Sequence, residues 1–207
     1  MKIKVCGMKY LDNIQALAQL PIHMMGLIFY APSPRYVGNV EPRSLKILIP
    51  QSIAKVGVFV NETETNILSV AKAFDLQYLQ LHGDESPQLC RSLQEKGYRI
   101  IKAFNVACEN DLSNAATYEQ ACDYALFDTK TISHGGSGKQ FDWQILKAYT
   151  ANIPFVISGG IGENDAANIA RFAHKQWIGI DLNSKFETEP GRKKIDILRK
   201  FIKEINI

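Results

Sequence analysis

Short runs of β-branched and other apolar residues alternate along this chain with stretches in which apolar positions recur every three or four residues. The runs are IKVC (3–6), MGLIF (25–29), KVGVFV (55–60) and QYLQL (77–81), then RIIKAF (99–104), DYALFD (123–128), PFVIS (154–158) and WIGIDL (177–182). Several are apolar at consecutive positions, the pattern of a parallel strand covered on both faces. The stretches between them carry helix signals. Ser86 and Pro87 precede QLCRSLQEK and Gly97 follows it, giving an N-cap, a proline at the first helical position and a C′ glycine. Ile67, Ala71 and Phe74 share one face of a third helix, and Ile195, Leu198, Ile202 and Ile205 share one face of the last. The count is eight strand–helix units, and no short hairpin turn joins any two strands. Crossover connections and a parallel sheet follow. The pattern predicts one α/β domain over 1–207, a closed (β/α)8 TIM barrel at the small end of its size range. A doubly wound open sheet is the alternative, weakened because VCGMKYL after the first strand lacks G-x-G-x-x-G.

Spacing adds a functional hint. Five of the seven strand-to-strand intervals are 22–24 residues, close to the minimum, and two are 30 and 31. The extra residues come directly after strands 2 and 6, in APSPRYVGN (31–39) and TKTISHGGSGKQ (129–140). In a barrel both are loops of the C-terminal face, where such folds place their sites.

Composition narrows the partners. A hydrophobic share of 46% and a charged share of 22% exclude disorder, collagen and coiled coil. The balance of 24 basic against 21 acidic residues, with no block of like charge, argues against nucleic acid and against an anionic membrane. The opening MKIKVCGMKY has no apolar signal region, and no run spans a bilayer. Cys6, Cys90, Cys108 and Cys122 form no C-x-x-C pair and have no histidine at zinc spacing, so no metal site is expected and the thiols read as reduced and cytoplasmic.

Several residues at strand ends could carry chemistry. Cys6 closes strand 1 just before Gly7 and shares its parity with Lys4, whose ammonium would help hold a thiolate; taken alone it reads more readily as a small core side chain. Asp128 closes strand 6, where partial burial would let a carboxyl keep its proton for general-acid work; an N-cap or loop brace is the equal alternative. Gly159 and Gly160 form a strand–helix turn that lets backbone approach an anion, and Asn183 and Ser184 follow strand 8. Loops after strands 7 and 8 are the usual phosphate cradle of a barrel, so a small phosphorylated substrate is expected. Arg35 lies on the proline-stiffened first long loop, either a fork for a carboxylate or a solvated surface residue. The glycines of 135–138 read as a lid, and His82 after strand 4 reads as a satisfied rim histidine or, less readily, a site residue.

With these segments in order, the chain resembles the phosphoribosylanthranilate isomerases of tryptophan biosynthesis over essentially its full length. The carriers are KVCGM, GLIFYAPSPRYV, KVGVFVNE, LQLHGDE, FDTKTISHGGSGKQFDW, ISGGIGENDAANI and GIDLNSKFETEPGRKKID. The resemblance implies a (β/α)8 barrel that carries out an Amadori rearrangement without metal or coenzyme. It converts N-(5-phosphoribosyl)anthranilate to 1-(o-carboxyphenylamino)-1-deoxyribulose 5-phosphate. It further implies Cys6 as general base, Asp128 as general acid and Arg35 on the anthranilate carboxylate. Gly159, Gly160, Asn183 and Ser184 fall on its phosphate site, and Asp181 on a rim carboxylate near the substrate. One departure stands out: the usual Ser-Ser-Gly-Val-Glu run is Asn183-Ser184-Lys185-Phe186-Glu187 here, which restricts the backbone if φ at Lys185 is positive. Two rivals remain. One is the Amadori isomerase of histidine biosynthesis, disfavoured because strand 1 ends in Cys6 and no half-barrel repeat is visible. The other is a non-catalytic barrel that binds a phosphorylated ligand. A monomer and a homodimer are equally compatible with the sequence.

Overall fold

The computed structural model describes residues 1–38, 40–129 and 141–205. The strands are β1 (Lys2–Val5), β2 (Met24–Ile28), β3 (Ala54–Phe59), β4 (Tyr78–Leu81), β5 (Arg99–Val106), β6 (Tyr124–Thr129), β7 (Phe155–Ile157) and β8 (Trp177–Leu182). They pair in sequence order, all parallel, and β8 returns to β1 to close a barrel. The open-sheet alternative is thereby removed. Closure sets Lys4 opposite Asp181 and Val5 opposite Leu182.

The helices begin and end where their capping chemistry dictates. In α3 (Glu64–Phe74) the Thr63 hydroxyl accepts from the Asn66 amide, and Asp75 beyond the last turn is left-handed at φ 51°. In α4 (Pro87–Glu95) Ser86 accepts from Leu89 N, with Pro87 in the first turn and Gly97 at φ 90° after it. The remaining α-helices, in chain order, are α1 (Leu11–Leu17), α2 (Pro42–Leu48), α5 (Ala166–Arg171) and α6 (Ile195–Ile205).

Among the described residues, the expectation of a regular α-helix after every strand fails twice. The segments after β5 and β6, Glu109–Tyr118 and Trp143–Ala148, are 3₁₀-helices. In the first, Ser113 and Thr117 donate to the carbonyls three residues back, Asn110 and Asn114, at 2.8 Å each, and Asp111 accepts from the Ala107 and Cys108 amides. These side-chain bonds compete with the α pattern and favour the tighter turn.

The core has two parts. Met24, Val56, Tyr78, Ile101, Ala103 and Leu126 fill the barrel interior, while a larger shell lies between strands and helices. Alternate side chains along a strand share a face, so Asp128 follows Leu126 inward and Gln80 follows Tyr78. The interior is apolar at its base and polar toward the C-terminal strand ends, where Lys4, Gln80, Asp128 and Asp181 are all buried. A hairpin of β9 (Glu187–Glu189) and β10 (Arg192–Lys193) follows β8 at this same end.

Candidate active site

Three connected groups of side chains ring the C-terminal mouth. The first lies on the seam between β8 and β1. Lys4 Nζ donates to Asp181 Oδ1 at 3.0 Å and also hydrogen-bonds Cys6, and all three are buried. Burial works against the Lys4 charge, but Asp181 and Cys6 outweigh it and lift the ammonium above its ordinary value. Burial likewise pushes the Cys6 thiol up, with Lys4 pulling the other way. Lys4 thus favours the thiolate as expected, but burial prevails, and in the free protein Cys6 keeps its proton beside a cation. Burial also raises the Asp181 carboxyl against the pull of Lys4.

The second group belongs to β4 and β6. Asp128 is 7% exposed, and its Oδ1 accepts from the Thr129 amide at 2.8 Å. Its Oδ2 stands 3.4 Å from His82 Nε2. Gln80 Nε2 lies 2.8 Å from His82 Nδ1. With the amide donating to Nδ1, the imidazole proton sits on Nε2 and faces the carboxylate. His82 is thus a neighbour of Asp128, not an isolated rim residue. Asp181 couples the two groups, since the charges of Asp128 and His82 both act on it.

The third group joins the loop after β2 to the hairpin. Arg35 Nε and Nη2 both donate to the Glu187 carboxylate, at 3.0 and 2.7 Å. Glu187 also accepts from Lys193 Nζ at 2.6 Å and from Gly191 N at 3.1 Å, and Lys193 donates to Asn183 Oδ1 at 2.7 Å. Burial alone would raise the Glu187 carboxyl, but Arg35 and Lys193 together take it below the usual carboxylate range. Burial lowers Lys193 despite Glu187. Of the two readings of Arg35, the solvated one fails, because its fork is held in a buried ion pair.

Of the residues expected to cradle an anion, Gly159 lies against Asp128 and Asn183 accepts from Lys193. Gly159 and Gly160 have φ of 85° and 69°, a pair of left-handed positions that turns the chain sharply after β7. Ser184 opens a 3₁₀ turn, Ser184–Phe186, and Asn183 precedes it at φ −145°. Lys185 lies inside that turn and is not among the positive-φ residues, so the missing glycine costs the backbone nothing here. Its stem faces Gly162. The glycine stretch 135–138, read as a lid, lies outside the described residues.

A family model described as N-(5'phosphoribosyl)anthranilate isomerase matches residues 3–204. The N-(5'-phosphoribosyl)anthranilate isomerase of Phocaeicola vulgatus is 46% identical over 205 residues, covering 99% of this chain and 98% of that one. The chain belongs to the phosphoribosylanthranilate isomerase family. It is accordingly an isomerase of tryptophan biosynthesis. Among solved structures, the phosphoribosyl anthranilate isomerase of Thermotoga maritima superposes with a TM-score of 0.84 at 33% identity, covering 100% of this chain and 98% of that one. A second phosphoribosyl anthranilate isomerase structure, in complex with reduced 1-(o-carboxyphenylamino)-1-deoxyribulose 5-phosphate, gives a TM-score of 0.82 at 29% identity, with the same coverage.

In this phosphoribosylanthranilate isomerase, sequence reasoning passed over Glu187, Lys193 and Gln80 as site residues. A signal existed for the first two. Glu-Pro-Gly at 189–191 between short polar runs is a turn signature, and the hairpin it makes carries both residues back to Arg35. Gln80 had only its parity with His82 in LQLHGDE. No helix among the described residues is long and apolar enough to cross a membrane.

Proposed function

We propose that this chain, as a single catalytic barrel domain, converts N-(5-phosphoribosyl)anthranilate to 1-(o-carboxyphenylamino)-1-deoxyribulose 5-phosphate with Cys6 as general base and Asp128 as general acid. The observation that carries the assignment is the placement of a buried thiol and a buried carboxyl at the ends of β1 and β6, both electrostatically linked to Asp181. The Asp128 carboxyl delivers its proton to the furanose ring oxygen as the C1′–O bond breaks, leaving an iminium. That iminium acidifies the C2′ proton, which Cys6 removes as its thiolate, the thiol proton having first passed to water, to give an enolamine. The thiol returns a proton to C1′, and the 2′-hydroxyl gives up its own as the ketone forms, restoring the acid. Lys4 supplies the countercharge that the thiolate requires at the moment it forms.

The remaining residues bind. Arg35 keeps Nε and Nη2 on Glu187 and offers its Nη1 edge to the anthranilate carboxylate. Gly159, Gly160, Asn183 and Ser184 take the 5′-phosphate, and Asp181 and His82 lie beside the sugar. No coenzyme or metal enters any step. Four unpaired cysteines fit a cytoplasmic enzyme, acting as a monomer or homodimer. The test is loss of phosphoribosylanthranilate fluorescence on adding the protein, with substrate generated in situ and chelator present. Turnover is expected; a folded protein without turnover would leave a binding-only barrel.

A further inference from the structure

The two proton-transfer side chains share an unusual setting. Gly26 lies on β2, beside the end of β1, and its carbonyl accepts from the Gly7 and Met8 amides at 3.0 and 3.1 Å. A methyl group built on Gly26 would stand 2.5 Å from Cys6 Sγ, 3.0 Å from Cys6 Cα and 3.1 Å from Cys6 Cβ. The backbone of Gly26 is not in the left-handed region, so its conformation would accept any residue. Its neighbours Met25 and Leu27 are fully buried strand residues. A glycine within a strand weakens it by about 0.5–1 kcal/mol relative to alanine and marks a close approach. What approaches here is the sulfur. The same relation recurs across the mouth: a methyl on Gly159 would lie 2.7 Å from Asp128 Oδ1 and closer still to Thr129 Oγ1.

We propose that Gly26 and Gly159 are positioning residues for the isomerisation, each leaving the gap in a neighbouring strand end that fixes one proton-transfer group. Gly26 seats the Cys6 sulfur, and Gly159 seats the Asp128 carboxylate, a role additional to any contact of its backbone with phosphate. The inference rests on the reading of Cys6 and Asp128 as base and acid. On that reading Cys6 and Asp128 act at C1′, C2′ and O4′, so their seats constrain reactive geometry more than binding.

Gly26 gives the cleaner test, because at Gly159 a side chain would also meet the left-handed backbone. In Gly26→Ala, kcat is expected to fall at least about 30-fold with KM within about twofold, since displacing a reacting group by 1 Å can cost about 10²-fold. In the Cys6→Ala background the same change is expected to cost nothing further in kcat, and to lower Tm by less than it does beside Cys6. Near-normal kcat in Gly26→Ala, or losses that multiply in the double variant, would overturn the seat. If Gly26→Ala alone does not fold, recovery of the folded barrel by Cys6→Ala identifies the sulfur as the obstacle, and failure of both variants to fold overturns the proposal. The Tm coupling reads the contact without activity. Wild-type turnover reads the function separately, as does loss of activity in Cys6→Ala.

Discussion

Lys102 and Lys4 are both buried strand lysines, 3% and 1% exposed; Lys102 faces the surrounding helices and Lys4 the barrel interior, and they are surrounded very differently. Lys102 Nζ donates to the carbonyls of Gly83 at 2.6 Å and of Leu81 and Ala103 at 3.2 Å, and to Glu85 Oε2 at 3.2 Å. Glu85 in turn accepts from the Asn61 and Gly83 amides, and the Tyr118 hydroxyl donates to its carbonyl. That network is saturated, and it fixes the loop that carries His82. Lys4 has one carboxylate and one thiol, both of which can change protonation. A buried charge held mainly by backbone carbonyls serves rigidity; one whose only partners are a carboxylate and a thiol is available for chemistry.

The strongest way to test this contrast is to remove the chemistry from its open side. Cys6→Ala and Asp128→Asn should each lower kcat by at least about 10², with KM within a few-fold, because a positioned proton transfer contributes about 10²–10⁴. Steady-state kinetics with an unchanged melting curve would show it, and near-normal turnover in either variant would remove that residue from its role. Next comes Lys102→Met, which strands the Glu85 carboxylate among amide donors. It should cost about 3–5 kcal/mol, or roughly 10 °C in Tm for a domain of this size. A loss of Tm below about 3 °C in calorimetry would show that the closed network is not structural.

Lys4→Met should invert that pattern. Asp181, already raised by burial, can take up a proton once Lys4 is gone, so the stability loss should stay near 1–3 kcal/mol. Activity should drop about tenfold or more. The thiol reports directly. Because burial holds the Cys6 pKa above its ordinary value of 9.0, the thiolate fraction must keep growing as pH rises through 9. Peptide-resolved alkylation of Cys6 should therefore show no plateau below about pH 9, and Lys4→Met should slow it several-fold at pH 8. A plateau near neutrality would contradict a thiol held up by burial. The smallest effect is expected at the third group: Glu187→Gln loosens the fork of Arg35 and should raise KM about three- to tenfold with kcat nearly unchanged.

These two lysines also show what could be read from sequence. The strand runs were legible because continuous apolar segments are what buried parallel strands require, and all eight begin within one residue of expectation; WIGIDL matches at both ends. The final helix was legible from its periodicity, and α4 from its caps. The two 3₁₀ segments were not, since their geometry depends on local side-chain bonds and not on hydrophobic spacing. Cys6, Asp128 and Arg35 stood out because each lies at a strand end or on a long loop. Glu187 and Lys193 did not, because their partner Arg35 is brought to them only by folding over a separation of 152 residues. The effect of burial on Cys6 was illegible for the same reason: parity places Lys4 nearby, but only packing shows how completely both are shielded from water.

The Lys4–Asp181 contact spans 177 residues of chain, joining the first strand of the barrel to its last. Such a contact forms late in folding, once the long loop it closes has been ordered. Six or seven assembled units would still hold Cys6 and Asp128 on their strands, but the cation beside the thiol would lack its carboxylate partner. Any nascent or truncated chain that stops before β8 is therefore chemically incomplete as well as open, and the last barrel strand to leave the ribosome is the one that brings Lys4 its carboxylate.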